Sequence, residues 1–89
     1  MCLVGKGNFE TQARRVFTNL KNILEEAGGR IQNIVKTTTF LTHFDHIETY
    51  RKVRDEFMAE PFPPNTLLIV NSLAMAEYMI EVEAIAVLD

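Results

Sequence analysis

The last strand of the chain constrains the fold more than any other segment, because its two faces carry different side chains. A strand over residues 78–87 presents Glu81 and Glu83 on one face, about 7 Å apart, among apolar neighbours. The other face is uniformly small and apolar, and consists of Ile80, Val82, Ala84, Ala86 and Leu88. The apolar face fits under helices. The mixed face predicts a shared cavity or a subunit boundary, since an ordinary half-buried strand has one wholly polar face.

A long amphipathic helix precedes the strands. Apolar side chains recur at helical spacing, at Ala13, Val16, Phe17, Leu20, Ile23, Leu24 and Ala27. Asn8 is suited to cap this helix, and Gly28–Gly29 is suited to end it. The spacing therefore predicts a helix over residues 9–27, with Arg14 and Arg15 on its solvated side.

A strand and a second helix follow. Residues 34–44 are rich in β-branched and aromatic residues, which predicts a strand. Asp45, with Glu48 three positions later, matches a capping box and predicts the start of a helix. This helix runs to about Ala59, because the proline-rich segment 61–64 cannot continue it.

The remaining segments complete a single domain over residues 1–89. An apolar run predicts a buried strand over residues 66–71, and residues 72–77 form a connection. Leu3–Val4 is interpreted as a strand remnant before a turn at residues 5–7. This order of elements predicts an α+β fold, with two helices on one face of a mostly antiparallel sheet.

The opposite sheet face has no covering layer in this reading. It carries either Thr37, Thr39 and Leu41 or the residues that alternate with them along the strand, together with Met79 and Ile85. A chain of 89 residues with one cysteine, Cys2, forms no internal disulfide and buries a modest core. We therefore expect self-association through the uncovered face, and the lone cysteine fits a reducing, intracellular compartment.

Composition excludes several classes of protein. A net charge of −3 argues against a dedicated nucleic-acid binder, which usually has a basic face. No apolar run approaches the length of a membrane helix, and the first residues lack the charged region of a signal peptide. His43 and His46 do not share a face as a metal-binding pair would. These features predict a soluble, cytoplasmic protein without a membrane or metal partner.

Six motifs, in order along nearly the whole chain, resemble the RidA/YjgF family, also called the endoribonuclease L-PSP family. They are residues 9–14, 19–21, 24–28, 34–41, 62–64 and 81–87. The resemblance implies a chorismate-mutase-like fold, assembled as a homotrimer around a sheet-lined barrel with ligand clefts between subunits. It also implies hydrolysis of reactive enamines or imines to keto acids and ammonia, without a metal or an organic cofactor.

The resemblance assigns site residues only in part. The family's water-positioning glutamate falls on Glu81, the implied catalytic residue. The arginine that grips the substrate carboxylate falls on Asn65, a small residue or cysteine falls on Leu67, and an asparagine of the second helix falls on Arg51. Thr66 and the backbone near Asn65 complete the implied substrate-binding set. Asn65 lacks the charged fork that binds a carboxylate.

Three alternatives stay open at this point. The first is a deaminase. The second is a trimer that binds a metabolite without turnover or acts on a different substrate. The third, with less support, is a ribonuclease or translation inhibitor. Glu81 and Glu83 also have a purely structural interpretation, as carboxylates lining a wet trimer interior. Since family members carry a further N-terminal β-hairpin, we expect the chain to be truncated relative to them.

Overall fold

The computed structural model describes residues 8–88, so the strand expected at Leu3–Val4 and the turn at residues 5–7 lie outside the described residues. Two helices, two 3-10 turns and three strands follow one another. They are α1 (Phe9–Glu26), a turn at Ile31–Asn33, β1 (Ile34–Leu41), a turn at Phe44–His46, α2 (Ile47–Phe57), β2 (Asn65–Ile69) and β3 (Ile80–Ala86). The α+β class and the order of helices and strands are confirmed for these residues.

Helix α1 begins and ends as its sequence predicts. Asn8 Oδ1 accepts a hydrogen bond from the Thr11 amide at 3.0 Å, which caps the first turn. At the other end Gly28 has φ +86°, a left-handed conformation that favours glycine. The Gly29 amide then donates to the Leu24 carbonyl at 2.8 Å. Both ends of the helix are therefore determined locally.

The sheet is mixed rather than mostly antiparallel. Its strand order is β2-β1-β3, and β1 pairs antiparallel with β3 but parallel with β2. The parallel pair arises because α2 returns the chain to the end of the sheet at which β1 began, and β2 then runs in the same direction as β1.

The register of β1 decides which residues face the helices. Thr37, Thr39 and Leu41 are buried on the helix side. The residues that alternate with them lie on the other face of the sheet, where they pair with the outward-facing residues of β3. This uncovered surface, which we call the open face, includes Lys36, Thr38, Phe40, Thr66, Leu68, Glu81, Glu83 and Ile85. Met79, expected on the same face, instead packs against the core just before β3 begins.

Two predicted boundaries between β1 and α2 are wrong. Asp45 does not cap α2, because residues 44–46 form a separate 3-10 turn and His46 occupies the N-cap position without a side-chain hydrogen bond. Strand β1 ends at Leu41 rather than at residue 44, because Leu41 pairs with the last residue of β2 and the first of β3.

The other boundaries differ by one or two residues. Helix α1 ends at Glu26 and α2 at Phe57, whereas the predicted ends were residues 27 and 59. Strand β2 starts one residue earlier than predicted and β3 two residues later. Residues 72–77 contain no helix or strand, as expected for a connection. Neither helix within residues 8–88 has the length and hydropathy needed to cross a lipid bilayer.

Arg14 links the two helices at the surface. Its Nη2 lies 2.7 Å from Glu56 Oε2 on α2, and its Nη1 donates to Glu10 on α1. The Arg14 hydrogen bond and charge, assisted by Lys52, lower the pKa of Glu10. Because these groups are exposed to solvent, the ion pairs orient the helix surfaces more than they stabilise the fold.

A buried glutamine fixes the start of the last strand. Gln12 is 4% exposed. Its Nε2 donates to the Glu77 carbonyl and its Oε1 accepts from the Met79 amide, each at 2.9 Å. One side chain on α1 thereby satisfies two backbone groups immediately before β3, and this sets where the strand that carries Glu81 begins.

We expect Gln12→Leu to lower the free energy of unfolding by about 2–4 kcal/mol, because two partly buried backbone groups lose their partner. Asn22→Ala, which truncates an exposed amide on the same helix, should change it by less than about 0.5 kcal/mol. Urea unfolding of both variants measures the difference. Equal, small effects would show that the Gln12 hydrogen bonds do not hold the strand.

His46 packs against the first residue of α1. Its ring stacks on Phe9 with a centroid distance of 4.2 Å. Burial lowers the pKa of His46 from its usual value, nearby His43 lowers it further, and Asp45 opposes the shift. The folded state therefore favours neutral imidazole, and its stability is reduced when the ring must bind a proton.

The protein should lose stability as the pH falls below about 6.5, because the unfolded chain then binds a proton at position 46 more readily than the folded chain. His46→Gln should reduce this part of the pH dependence, whereas His43→Gln should preserve most of it. Thermal unfolding midpoints at pH 5 to 8 for the three proteins test the assignment. An unchanged pH slope in His46→Gln would contradict it.

Candidate functional site

Glu81 lies on the open face of the sheet, on edge strand β3. In the register of the sheet, Glu81 is opposite Phe40 and Glu83 is opposite Thr38. Two rows therefore cross the open face: Leu68–Phe40–Glu81 and Thr66–Thr38–Glu83. Both carboxylates are exposed, and Glu81 has the more apolar surroundings. This is the mixed face that the sequence of the last strand predicts.

Asn65 lies on the helix side of the sheet. Its Oδ1 is 2.8 Å from Thr37 Oγ1 and 3.0 Å from Thr39 Oγ1. Thr39 Oγ1 is in turn 2.9 Å from the Tyr50 hydroxyl of α2. We call these four residues the hydroxyl relay. It connects the first residue of β2 to the buried face of α2 through the central strand.

Glu81 and Asn65 do not meet within one chain. They lie on the two edge strands, which are separated by β1 and are therefore about 10 Å apart across the sheet. Their pairing positions on β1 are also three residues apart, which adds about 10 Å along the strand direction. Their side chains also leave opposite faces of the sheet. A small ligand that contacts both residues therefore requires a second copy of the chain.

The other predicted site residues are also dispersed. Thr66 is exposed on the open face, beside Thr38. Leu67 points to the helix side and packs against the core. Arg51 is exposed on α2, in the helix layer. The structure thus brings none of these three next to Glu81 in the same subunit.

Tyr50 is the residue that the sequence interpretation missed. The helical spacing places Tyr50 on the apolar stripe of α2, and the structure confirms its burial at 2% exposed. Its hydroxyl reaches the relay, whereas its neighbour Arg51 points to solvent. A buried tyrosine usually finds a hydrogen-bond partner for its hydroxyl, so its position on the stripe was a usable signal. The identity of the partner was not readable from the sequence.

A groove of about 450 Å³ runs between α1 and the outer edge of β3. Within residues 8–88 this edge of the sheet pairs with no strand. The groove is mainly apolar, and its polar lining residues include Arg15, Asn19, Tyr78 and Glu81. Arg15, expected to be only solvated, therefore lines a groove to which residue Glu81 of the edge strand also contributes.

Metal-ligating side chains do not converge in the described part of the chain. No group of three or more His, Cys, Asp or Glu residues within residues 8–88 is arranged to hold a metal ion. The rings of His43 and His46 have centroids 6.1 Å apart and meet edge to face, and His43 Nδ1 accepts from the Asp45 amide. The Nδ1 atom of His43 is therefore already engaged by a hydrogen bond within its own turn.

Comparison with known proteins identifies the family. The family model described as Endoribonuclease L-PSP matches residues 1–88. The chain belongs to this family. The resemblance seen in the sequence motifs is thus confirmed, and so is the RidA/YjgF assignment.

Curated relatives of this chain include RutC family proteins and 2-iminobutanoate/2-iminopropanoate deaminases. A RutC family protein of Synechocystis is 32% identical over 88 residues, which cover 99% of this chain and 68% of the relative. The Escherichia coli 2-iminobutanoate/2-iminopropanoate deaminase is 37% identical over 79 residues, which cover 85% of this chain and 61% of that protein. This chain therefore spans less than seven-tenths of either relative.

The fold of the endoribonuclease L-PSP family is also shared. The crystal structure of RidA from an Antarctic Psychrobacter superposes with a TM-score of 0.86 at 31% identity, and the match covers 91% of this chain and 65% of that one. A putative endoribonuclease from Thermotoga maritima gives a TM-score of 0.85 at 34% identity, with 93% and 65% covered. The arrangement of two helices on a three-stranded mixed sheet is thus the family arrangement.

Thr39→Val should lower the free energy of unfolding by about 1–3 kcal/mol, because the buried Tyr50 hydroxyl loses its acceptor and Asn65 loses a donor. Thr38→Val is the matched control, since it makes the same change one residue away on the open face. We expect a change below about 0.5 kcal/mol for the control. Equal losses in urea unfolding would indicate that the relay contributes nothing specific.

Proposed function

We propose that this protein hydrolyses a small enamine or imine to a carbonyl compound and ammonia, in a cleft shared by two copies of the chain. The separation of Glu81 from Asn65 on opposite sheet faces carries the proposal, because only an assembly can bring them together. The names of relatives support it, since one of them is a 2-iminobutanoate/2-iminopropanoate deaminase. A cytoplasmic location stays a prediction.

The proposed chemistry requires one carboxylate and one water molecule. Glu81 holds the water and accepts a proton from it while the oxygen adds to the carbon of the C=N bond. The nitrogen receives that proton, which gives a neutral carbinolamine. Glu81 then transfers the hydroxyl proton of the carbinolamine to its nitrogen, so that ammonia departs and a C=O bond remains. An enamine first tautomerises to the imine, as a proton moves from nitrogen to carbon. Atoms balance without an oxidant or a reductant: the imine and water become the carbonyl compound and ammonia. Such proton transfer by a positioned carboxylate contributes about 10²- to 10⁴-fold in rate.

The open face supplies the surface for the proposed assembly. Ile85 is 59% exposed and Leu68 is 45% exposed, both on this face. Lys36 shares the face with Glu81 and Glu83, so copies packed face to face could pair opposite charges. Exposed apolar patches usually mark partners, and a closed cyclic homotrimer would bury all copies of the face equally.

Binding without turnover is the second candidate function. Asn65 favours it, because this neutral amide stands where the resemblance places a carboxylate-binding arginine. Cleavage of RNA, the activity in the family's name, is disfavoured by the net charge of −3 and by the two carboxylates on the open face, which repel phosphates.

Freshly generated 2-aminoacrylate and 2-iminopropanoate test the proposal, with ammonia and pyruvate followed over time. Glu81→Gln should lower kcat/KM by about 100-fold. Glu83→Gln is the matched control on the same face, and we expect its rate to stay near that of the unmodified protein. If the rate never exceeds that of buffer with these or the amide substrates described below, hydrolysis is excluded and the binding function remains.

Mixing two impaired variants tests whether the site is shared between subunits. Glu81→Gln and Asn65→Asp chains, unfolded together and refolded at equal amounts, should recover about a quarter of the full activity, because random assembly restores about one intact site in four. Each variant refolded alone is the control. No recovery in mixed oligomers, verified by mass spectrometry, would place both residues' functions within one chain.

A further inference from the structure

The hydroxyl relay fixes which way the Asn65 amide points. Three buried hydroxyl groups belong to it, on Thr37, Thr39 and Tyr50, which are 5%, 0% and 2% exposed. Each hydroxyl hydrogen needs an acceptor in the absence of water. Tyr50 donates to Thr39 Oγ1, and Thr39 and Thr37 both donate to Asn65 Oδ1. All three hydrogens are then satisfied.

The opposite orientation of the amide does not satisfy these groups. If Nδ2 faced the threonines, it would donate to both, and Thr39 would have to donate to Tyr50 instead. The hydroxyl hydrogens of Thr37 and Tyr50 would then have no acceptor among the contacts of the relay. A buried unsatisfied polar group costs about 1–3 kcal/mol, so two of them exclude the flipped amide.

The consequence is a fixed donor at the surface. With Oδ1 occupied by two hydroxyl groups, the Nδ2 group of Asn65 points away from the relay, and Asn65 is an exposed residue. An NH₂ group offers two hydrogens and no acceptor in that direction. The position is therefore suited to a ligand oxygen with lone pairs and unsuited to a ligand donor.

The donor at position 65 is itself uncharged, and two of the cations around it are directed elsewhere. Lys36 lies on the open face, and Arg51 is exposed in the helix layer. Arg54 is engaged: its guanidinium carbon lies 4.2 Å from the centre of the Phe62 ring, and the group donates to Asp55. A ligand carboxylate at Asn65 would gain hydrogen bonds but no charge neutralisation from Asn65, Lys36 or Arg54.

We propose that Asn65 is a specificity-determining residue that selects a ligand with an uncharged carbonyl group, such as the amide of a 2-imino or 2-oxo acid, over the free acid. The inference rests on the proposed function for the location of the ligand. An amide carbonyl accepts the Nδ2 hydrogen bond and loses little hydration on binding. A carboxylate must be stripped of water, and the neutral Asn65 amide does not compensate its charge.

Pyruvamide and pyruvate form a matched pair of probes, because they differ only in the group that would face Asn65. We expect pyruvamide to bind the unmodified protein about tenfold more tightly, which corresponds to about 1.4 kcal/mol. Nitrogen-15 NMR titration gives both dissociation constants and reports on the Asn65 side-chain NH₂ signals directly. These signals should shift with pyruvamide more than the signals of the exposed Asn22 amide.

Two substitutions at position 65 sharpen the test. Asn65→Asp keeps an acceptor for the threonine hydroxyl groups but removes the outward donor, so pyruvamide affinity should fall about tenfold. Asn65→Arg should reverse the preference in favour of pyruvate, because a guanidinium binds a carboxylate through two charged hydrogen bonds. Circular dichroism and unfolding curves verify that each variant is folded.

Arg15 provides the competing explanation, since it lines the groove that contains Glu81. Arg15→Gln should leave the preference for pyruvamide unchanged. Tighter binding of pyruvate than of pyruvamide, equal affinities, no binding of either compound, or a preference that survives Asn65→Asp would each overturn the inference. A preference for pyruvate that disappears in Arg15→Gln would assign the selection to the groove instead.

Failure of this inference can be distinguished from failure of the proposed function. Specific pyruvamide binding without release of ammonia from 2-iminopropanamide or from the acid substrates would support the role of Asn65 and exclude hydrolysis. Ammonia release from 2-iminopropanoate together with preferential binding of pyruvate would support hydrolysis and overturn the role of Asn65.

Discussion

Pairing of the central strand with two different neighbours determines which face of the sheet each strand residue occupies. Strand β1 is antiparallel to β3 and parallel to β2. Side chains at alternate positions of β1 therefore belong to two separate environments, one under the helices and one on the open face. Glu81 lies on the open face and Asn65 lies on the helix side, because each has the same orientation as its partner on β1. The distance between them is a direct consequence of that pairing.

Two buried polar arrangements stabilise this sheet against the helices. Gln12 holds the backbone that leads into β3, and the relay joins Asn65 at the start of β2 to Tyr50 on α2. Apolar packing alone is not directional, whereas hydrogen bonds in a dry interior require defined partners. These two arrangements therefore fix the positions of the edge strands more closely than the apolar core does.

The sequence predicted those features that depend on neighbours along the chain. The caps and stripe of α1, the alternation on β3 and the uncovered sheet face all follow from local spacing, and the motifs identified the family. The parallel pairing of β2 was not predictable in this way, because strand direction depends on where α2 returns the chain. The partner of Tyr50 and the groove position of Arg15 likewise depend on contacts between distant segments. Asp45 matched a capping motif, but its backbone instead entered a 3-10 turn that the motif does not describe.

The position of Asn65 within the relay has a consequence for divergence within the family. A replacement at position 65 that removes the oxygen would leave the hydroxyl groups of Thr37 and Thr39 without an acceptor, so it costs stability unless positions 37, 39 or 50 change as well. We therefore expect these positions to covary among homologues, even though only one of them faces a ligand. Ligand preference in such a protein would change through coordinated steps, with the residues of the interior limiting which side chains can appear at its surface.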